Sequence, residues 1–351
     1  MNQINMIPGI LSVFIITLAF PPAPGNKTLP GGAESREFTI MFYNVENLFD
    51  PANDSLTGDD DFTPSGDLHW TYKRYYSKIN KLYKVITALG GWQPPDIIGL
   101  CEVENKKVLL DMIHNTPLSK FPYDIIHYNS PDKRGIDVAL LYNRKTIRLL
   151  SSKKISLRKN GLFTRDILHV KAILHKDTCH FLVNHWPSRS AGQIETEGDR
   201  NKAALLLKSF TDSLFAKNMN ASIIIMGDFN DEPVDESLSG KLMARTNMHD
   251  PKPGFLYNVS VAPSAGNYRG TLKYRGQWNL FDQIIVSGSL LYTSNGLRVQ
   301  ANGYKIFGES FLLIGDEQYT GFKPFRTYNG FRYQGGFSDH LPVYVVVTSN
   351  E

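Results

Sequence analysis

The sequence predicts an α/β protein in which two packed, mostly antiparallel β-sheets are flanked by helices. Three observations lead there. From Phe38 onward, strand-like and helix-like runs alternate with no linker between them. The strand-like runs outnumber the helices too heavily for a simple parallel βαβ sheet. Composition is that of a globular chain, with 42% hydrophobic and 21% charged residues over 351 positions. That much apolar surface offsets ordering entropy and excludes whole-chain disorder. No fixed period recurs, which excludes solenoids and coiled coils.

The elements follow in chain order. Residues 38–43, Phe-Thr-Ile-Met-Phe-Tyr, form a β-rich run that ends at polar Asn44. A loop rich in Asp, Gly and Pro comes next. Its Asp59-Asp60-Asp61 run lacks the full spacing of a calcium loop and reads as solvated. Tyr72, Tyr76, Ile79, Tyr83, Ile86 and Leu89 then fall at helical spacing, and Gly90-Gly91 stops that helix. Strands are expected at 96–100, 123–128, 136–142, 167–174 and 180–184. A second helix puts Ala203, Leu207, Phe210 and Leu214 on one face. Strands at 223–226, 281–286 and 342–347 complete the set. Residues 308–336, dense in Gly and aromatics, are expected to form a loop or hairpin at the substrate rim.

Residues 1–24 carry no charged side chain, and 7–20 are mostly apolar before the break Pro21-Pro22-Ala23-Pro24-Gly25. This reads as an export signal, since the apolar run is short for a bilayer span of about 20 residues. A periplasmic or secreted location is expected, with a membrane anchor as the alternative. The expected organisation is a signal over 1–24, a linker over 25–37 and one catalytic domain over 38–351.

Charge and cysteines are less informative. Lys+Arg of 38 against Asp+Glu of 34 gives +4. That suits an anionic substrate but is far from a polybasic nucleic-acid coat. Cys101 and Cys179 lie in apolar runs and read as buried reduced thiols, with a disulfide, which export would permit, as the alternative. Neither belongs to a zinc-type cluster.

The chemistry lies at strand ends. Six apolar runs close on carboxylate, amide or imidazole: Asn44-Val45-Glu46, Cys101-Glu102, Asn184-His185-Trp186-Pro187-Ser188-Arg189, Gly227-Asp228-Phe229-Asn230, Phe281-Asp282-Gln283 and Ser338-Asp339-His340. Strand ends are where a rigid scaffold presents polar groups along one rim. Taken singly, each is more often a turn or capping residue. Taken together and in this order, they resemble the endonuclease/exonuclease/phosphatase superfamily, metal-dependent phosphoesterases with the fold of pancreatic deoxyribonuclease. The resemblance covers about residues 38–347. It is closest to predicted extracellular nucleases of bacteria, through His185–Arg189, Arg134-Gly135-Ile136-Asp137-Val138-Ala139 and Tyr274-Arg275-Gly276-Gln277-Trp278.

The resemblance implies a four-layered α/β sandwich and a divalent ion, Mg²⁺ first, with Mn²⁺ or Ca²⁺ as alternatives. It makes Glu102 the main metal ligand, with Asn44, Glu46 and Asp339 completing or orienting the metal shell. Glu46 stands where the family more often has Asp. Asp228 and Asn230 would orient the attacking water and hold the phosphate. Asp282 would pair with a histidine and tune its charge, Asp339 and His340 match the closing motif, and His185 would stabilise phosphate or protonate the leaving group. A phosphodiester repels hydroxide, so such a site must neutralise charge before water attacks. Imidazoles can move protons near neutral pH or stabilise the pentavalent transition state.

Arg189 and Arg200 flank a polar loop and are candidates for holding phosphates, with ion pairs as the competing reading. Trp186 and Trp278 could stack on a base, although core packing is the stronger expectation. The expected activity is phosphodiester hydrolysis by an exported, monomeric nuclease. Hydrolysis of lipid or small-molecule phosphates is the alternative on the same scaffold. A binding module that has lost catalysis is the other class, and no acidic or imidazole position is missing to favour it. No protein partner is implied.

Overall fold

The computed structural model describes residues 27–28, 34–91, 93–261, 270–292 and 296–350. The export segment expected at 1–24 lies outside the described residues. Two six-strand arrays dominate. In the first, the order is Gly296–Val299, Val343–Asn350, Glu34–Leu48, Ile97–Val103, Asp137–Asn143 and Tyr123–His127. In the second it is Leu256–Asn258, Asp282–Ser287, Ser222–Asp228, Asp177–His185, Ile167–Leu174 and Ile147–Ile155. Each array contains one parallel pair: Glu34–Leu48 with Ile97–Val103, and Asp177–His185 with Ser222–Asp228. Parallel neighbours need a crossover. Helix α1 (Tyr72–Leu89) supplies the first and α3 (Gln193–Lys217) the second.

Alternation along the strands builds the layers. Phe42, Cys101 and Val138 from one sheet meet Phe181, Val183, Ile224 and Met226 from the other, forming the central core. The opposite face of the first sheet packs Met41, Ile98, Leu100 and Leu141 against α1 and α2 (Lys106–His114). The opposite face of the second packs Leu182, Ile223 and Ile225 against Ala203, Ala204 and Leu207 of α3. The result is the expected four-layered sandwich. Among the described residues, no helix is long and apolar enough to cross a membrane.

Local signals set the helix ends. Thr71 caps α1 by accepting from Arg74 N, and Gly90 closes it. The buried stripe of α1 is Tyr75, Lys78, Ile79, Leu82, Val85 and Ile86, and the lysine within it is functionally informative below. Both cysteines are free and buried, as expected. Asp59 is not solvated: it is buried and accepts from Asp54 N at 2.9 Å, so it ties its own loop together.

One buried pair makes stability depend on pH. His169 Nε2 and His180 Nδ1 lie 2.9 Å apart on neighbouring strands. Burial, with nearby cationic groups, lowers His169 to about 3 and His180 to about 4. In an unfolded chain each would titrate near ~6.5. The unfolded state therefore takes up protons first as pH falls, and folding loses stability from about pH 6.5 down to the folded values. Thermal melts should show Tm falling across that window, and His169→Leu should flatten the slope. An unchanged slope in the variant would remove this pair as the cause.

Candidate active site

Both parallel pairs end at the same rim, and irregular backbone there aims the functional side chains. Pairing of Ile97–Val103 with Asp137–Asn143 shifts register between Cys101 and Val103. This bulge leaves Glu102 unpaired while returning Val103 to the helix-facing layer. A second shift, between Asn44 and Leu48, does the same for Glu46 and Asn47. Glu46, Asn47, Glu102 and Asn230 all have φ between 50° and 61°. Left-handed backbone at non-glycine residues costs on the order of 1–3 kcal/mol each and concentrates where function demands a particular aim.

In the second sheet, His185 and Asp228 are register partners, and Asp282 is the partner of Asp228 on its other side. Three groups converge on Asp228 Oδ2. Asn44 Nδ2 donates to it at 3.0 Å, His185 Nε2 is 3.7 Å away and His340 Nε2 is 3.8 Å away. His340 Nδ1 donates to Asp282 Oδ2 at 2.6 Å. The closing segment is held in place because Ser338 Oγ donates to Asn44 O and accepts from His340 N.

Electrostatics separates the roles of the two histidines. Burial opposes charge on His340, but Asp282 and Asp228 outweigh it and hold the imidazole protonated well above its usual range. Burial, reinforced by Arg165 and Arg134, pushes His185 well below that range, so it is neutral. A neutral imidazole can donate a hydrogen bond to phosphate but cannot serve as a strong acid. Asp228 is raised by burial to about 6, with His340 pulling the other way, so it is ionised near neutral pH yet basic enough to take a proton.

The expected metal shell is only partly available. Asn44 has both ends engaged, its Nδ2 on Asp228 and its Oδ1 accepting from Glu46 N. It positions Asp228. Glu46 is likewise committed. It accepts from Thr327 N at 2.6 Å, sits 3.4 Å from Arg326 Nε and 3.9 Å from buried Lys78 Nζ. The longer side chain in place of Asp reaches across to the 326–328 segment and fastens it. Glu102 accepts from Asn47 N through Oε2, while Oε1 lies 4.0 Å from His185 Nε2 and accepts no hydrogen bond among the described residues. Asp339 is held by Arg326 at 3.0 Å.

Hard carboxylate oxygens of this kind fit a Mg²⁺-type ion, which binds oxygen and keeps several waters. Glu102, with its open oxygen, and Asp339 are the residues that would hold it. Asp228, Asp282 and His340 also place ligand atoms within 4.8 Å of one another. The proton shared in the His340–Asp282 hydrogen bond makes that group an acid–base unit first.

The expected substrate residues divide differently. Arg200 is 0% exposed, its Nε 2.7 Å from Asp231 and its other nitrogens donating to Thr196 and to the Gln193 carbonyl. It does not reach a substrate. Arg189 donates to Asn230 O at 2.6 Å and to Asp231 at 2.6 Å. Both arginines therefore brace the segment after Asp228, which is the ion-pair alternative. Asn230 Nδ2 donates to Trp186 O, adding to that brace. Trp186 is fully buried against Phe229, and half-buried Trp278 packs on the core beneath α1. Packing is thus the role of Trp186, and Trp278 packs with one part of its ring system. Residues 308–336 form two hairpins, Leu313–Gly315 with Phe322–Pro324 and Tyr328–Asn329 with Arg332–Tyr333, and Arg326 between them reaches the site.

Lys78 and Arg326 were not anticipated. Lys78 left a signal, a lysine at a core position of the α1 stripe. Arg326 left none, because only the fold brings it to Glu46 and Asp339.

Solved structures share this architecture. An endonuclease/exonuclease/phosphatase family protein from Bacteroides thetaiotaomicron is 17% identical, with a TM-score of 0.56 over 90% of this chain and 98% of that one. A mannosyl-6-phosphatase from Bacteroides thetaiotaomicron is 17% identical, with a TM-score of 0.56 over 88% and 99%. TDP2 from D. rerio, solved with a single-strand DNA product, is 14% identical, with a TM-score of 0.54 over 89% and 98%. No curated protein matches the chain at a significant level. The family model described as Endonuclease/Exonuclease/phosphatase family matches residues 39–349. With that match over nearly all of the described fold, and the six strand-end motifs gathered at one rim, the chain belongs to the endonuclease/exonuclease/phosphatase family.

Proposed function

We propose that this protein is an exported, divalent-metal-dependent phosphodiesterase that cleaves nucleic acid. The observation that carries the chemistry is the convergence of His185, His340 and Asn44 on one oxygen of Asp228. In this reading Asp228 accepts the proton of the attacking water, and Asn44 holds its carboxylate in line. The water oxygen bonds to phosphorus as the bond to the leaving oxygen breaks. His340, kept charged by Asp282, stabilises the added negative charge on the phosphoryl oxygens. His185 donates a neutral hydrogen bond to the same group. Glu102 and Asp339 would hold a divalent ion, which would supply charge neutralisation on the phosphate and on the leaving oxygen. Export rests on the uncharged, apolar N-terminal segment.

A plasmid-nicking assay on the chain lacking residues 1–24 tests this. Nicking is expected with Mg²⁺, absent in EDTA, restored by excess Mg²⁺ and lost in Asp228→Ala. Undiminished nicking in EDTA would refute the metal requirement. A second reading, hydrolysis of small phosphate esters, is favoured by a half-open cavity of about 300 Å³ beside Asp339. Turnover of sugar phosphates with no cleavage of any nucleic acid would select it.

A further inference from the structure

The cavity beside Asp339 is formed where two hairpins meet. Leu272–Tyr274 pairs with Gln277–Asn279 through the two-residue turn Arg275-Gly276. Both turn residues have positive φ, 48° and 84°, the signature of a type I′ turn. Such a turn favours Asn, Asp or Gly at its first central position, and arginine there is held in left-handed backbone at a local cost. Gly276 has no freedom to change, because a Cβ would lie 2.9 Å from the Tyr319 ring. The tip is pressed against the neighbouring hairpin.

A buried ion pair fastens the two hairpins. Lys273, 3% exposed, lies 3.0 Å from Asp316 Oδ2 and donates to Thr320 O at 2.8 Å. Lys323 sits 3.3 Å from the other oxygen of Asp316. The cavity is therefore preformed. It is also coupled to the reaction site, because Leu272 bridges His340 and Leu341 N donates to Thr271 O. Arg326 and Asp339 line its inner end.

Its charge is unbalanced. Lys273, Arg275, Lys323 and Arg326 face Asp316 and Asp339. Asp316 answers the two lysines and Asp339 answers Arg326, which leaves Arg275. Its guanidinium rests on the Tyr274 ring at 5.3 Å, with no carboxylate partner among the described residues. A strained, ring-supported, unpaired guanidinium in a preformed cavity next to the acid–base unit is equipped for bidentate capture of an anion.

We propose that this cavity is a subsite for the second phosphate of the substrate, the one carried by the nucleotide unit next to the scissile bond, and that Arg275 is its specificity-determining residue. The proposal rests on the phosphodiesterase reading and makes the enzyme prefer a phosphate-bearing strand to an isolated diester.

Two substrates differing in one group provide the test: the p-nitrophenyl ester of thymidine 5′-phosphate, with and without a 3′-phosphate. The wild-type chain should show a lower KM for the 3′-phosphorylated substrate. Arg275→Asn keeps a residue suited to the turn and should raise that KM about tenfold, the scale of losing a charge-assisted contact, with kcat unchanged. The substrate lacking the 3′-phosphate should not respond. Arg275→Lys should recover only part of the preference. An equal effect on both substrates, or none on either, overturns the proposal. A separate readout is the affinity of the His340→Ala protein for a fluorescent single-stranded oligonucleotide, with and without Arg275→Asn. No turnover of either ester by wild type would sink the phosphodiesterase reading. Unchanged affinity on losing Arg275 would sink the subsite in that case as well.

Discussion

His340→Ala should lower kcat on bis(p-nitrophenyl) phosphate by about 10³-fold, the scale of losing a donor that stabilises charge in the transition state. Asp282→Asn should produce a comparable loss although it keeps the side chain's shape. The 2.6 Å hydrogen bond between Asp282 and His340 explains why. Without the carboxylate, burial is no longer outweighed, and the imidazole loses the charge it needs in the transition state. The double variant should be no worse than the more damaged single variant, because the two residues act as one unit. Multiplicative losses in the double variant would show that they act separately. Unchanged circular dichroism in each variant would exclude misfolding as the cause.

The second large effect is on stability. Arg200→Leu should cost roughly 3 kcal/mol, the scale for removing one partner of a buried ion pair. Arg200 is fully buried, and Asp231 is nearly so. Asp231 would keep Arg189 and the Ser237 hydroxyl, which holds the loss to the low end of that scale. The expected fall in Tm is on the order of 4–5 °C for a chain of this length. Activity should drop through the same loop, since Asp231 anchors Arg189 and Arg189 holds the Asn230 carbonyl. An unaltered melt with a raised KM would instead place Arg200 on the substrate.

Much of the architecture was legible in the chain. The α1 periodicity and its Gly90 stop matched Tyr72–Leu89, and the strand expected at 167–174 matched the observed Ile167–Leu174. Several elements were not, an edge strand and a short helix among them. Ile147–Ile155 is an edge strand with most of its residues exposed, so no buried alternation marks it. Helix α2 is nine residues long, and its Val-Leu-Leu-Asp-Met-Ile core reads as an apolar run of either type. The hairpin expected within 308–336 is two short hairpins.

The sequence by itself determined which chemistry is present: the carboxylates, amides and imidazoles that follow apolar runs, in an order that resembles one family. It also determined the layers, since strand alternation and helical periodicity are local properties that burial enforces. Only the tertiary structure decided what each polar group does. Asn44, Glu46, Arg189 and Arg200 are all polar residues beside the site. The fold directs Asn44 onto Asp228, Glu46 onto the 326–328 backbone and both arginines onto Asp231. Arg326 and Lys78 enter the site from segments with no motif of their own. The reason is physical: a buried polar group takes whichever partner the packed chain brings within about 3 Å, and most of those partners here come from segments distant in sequence.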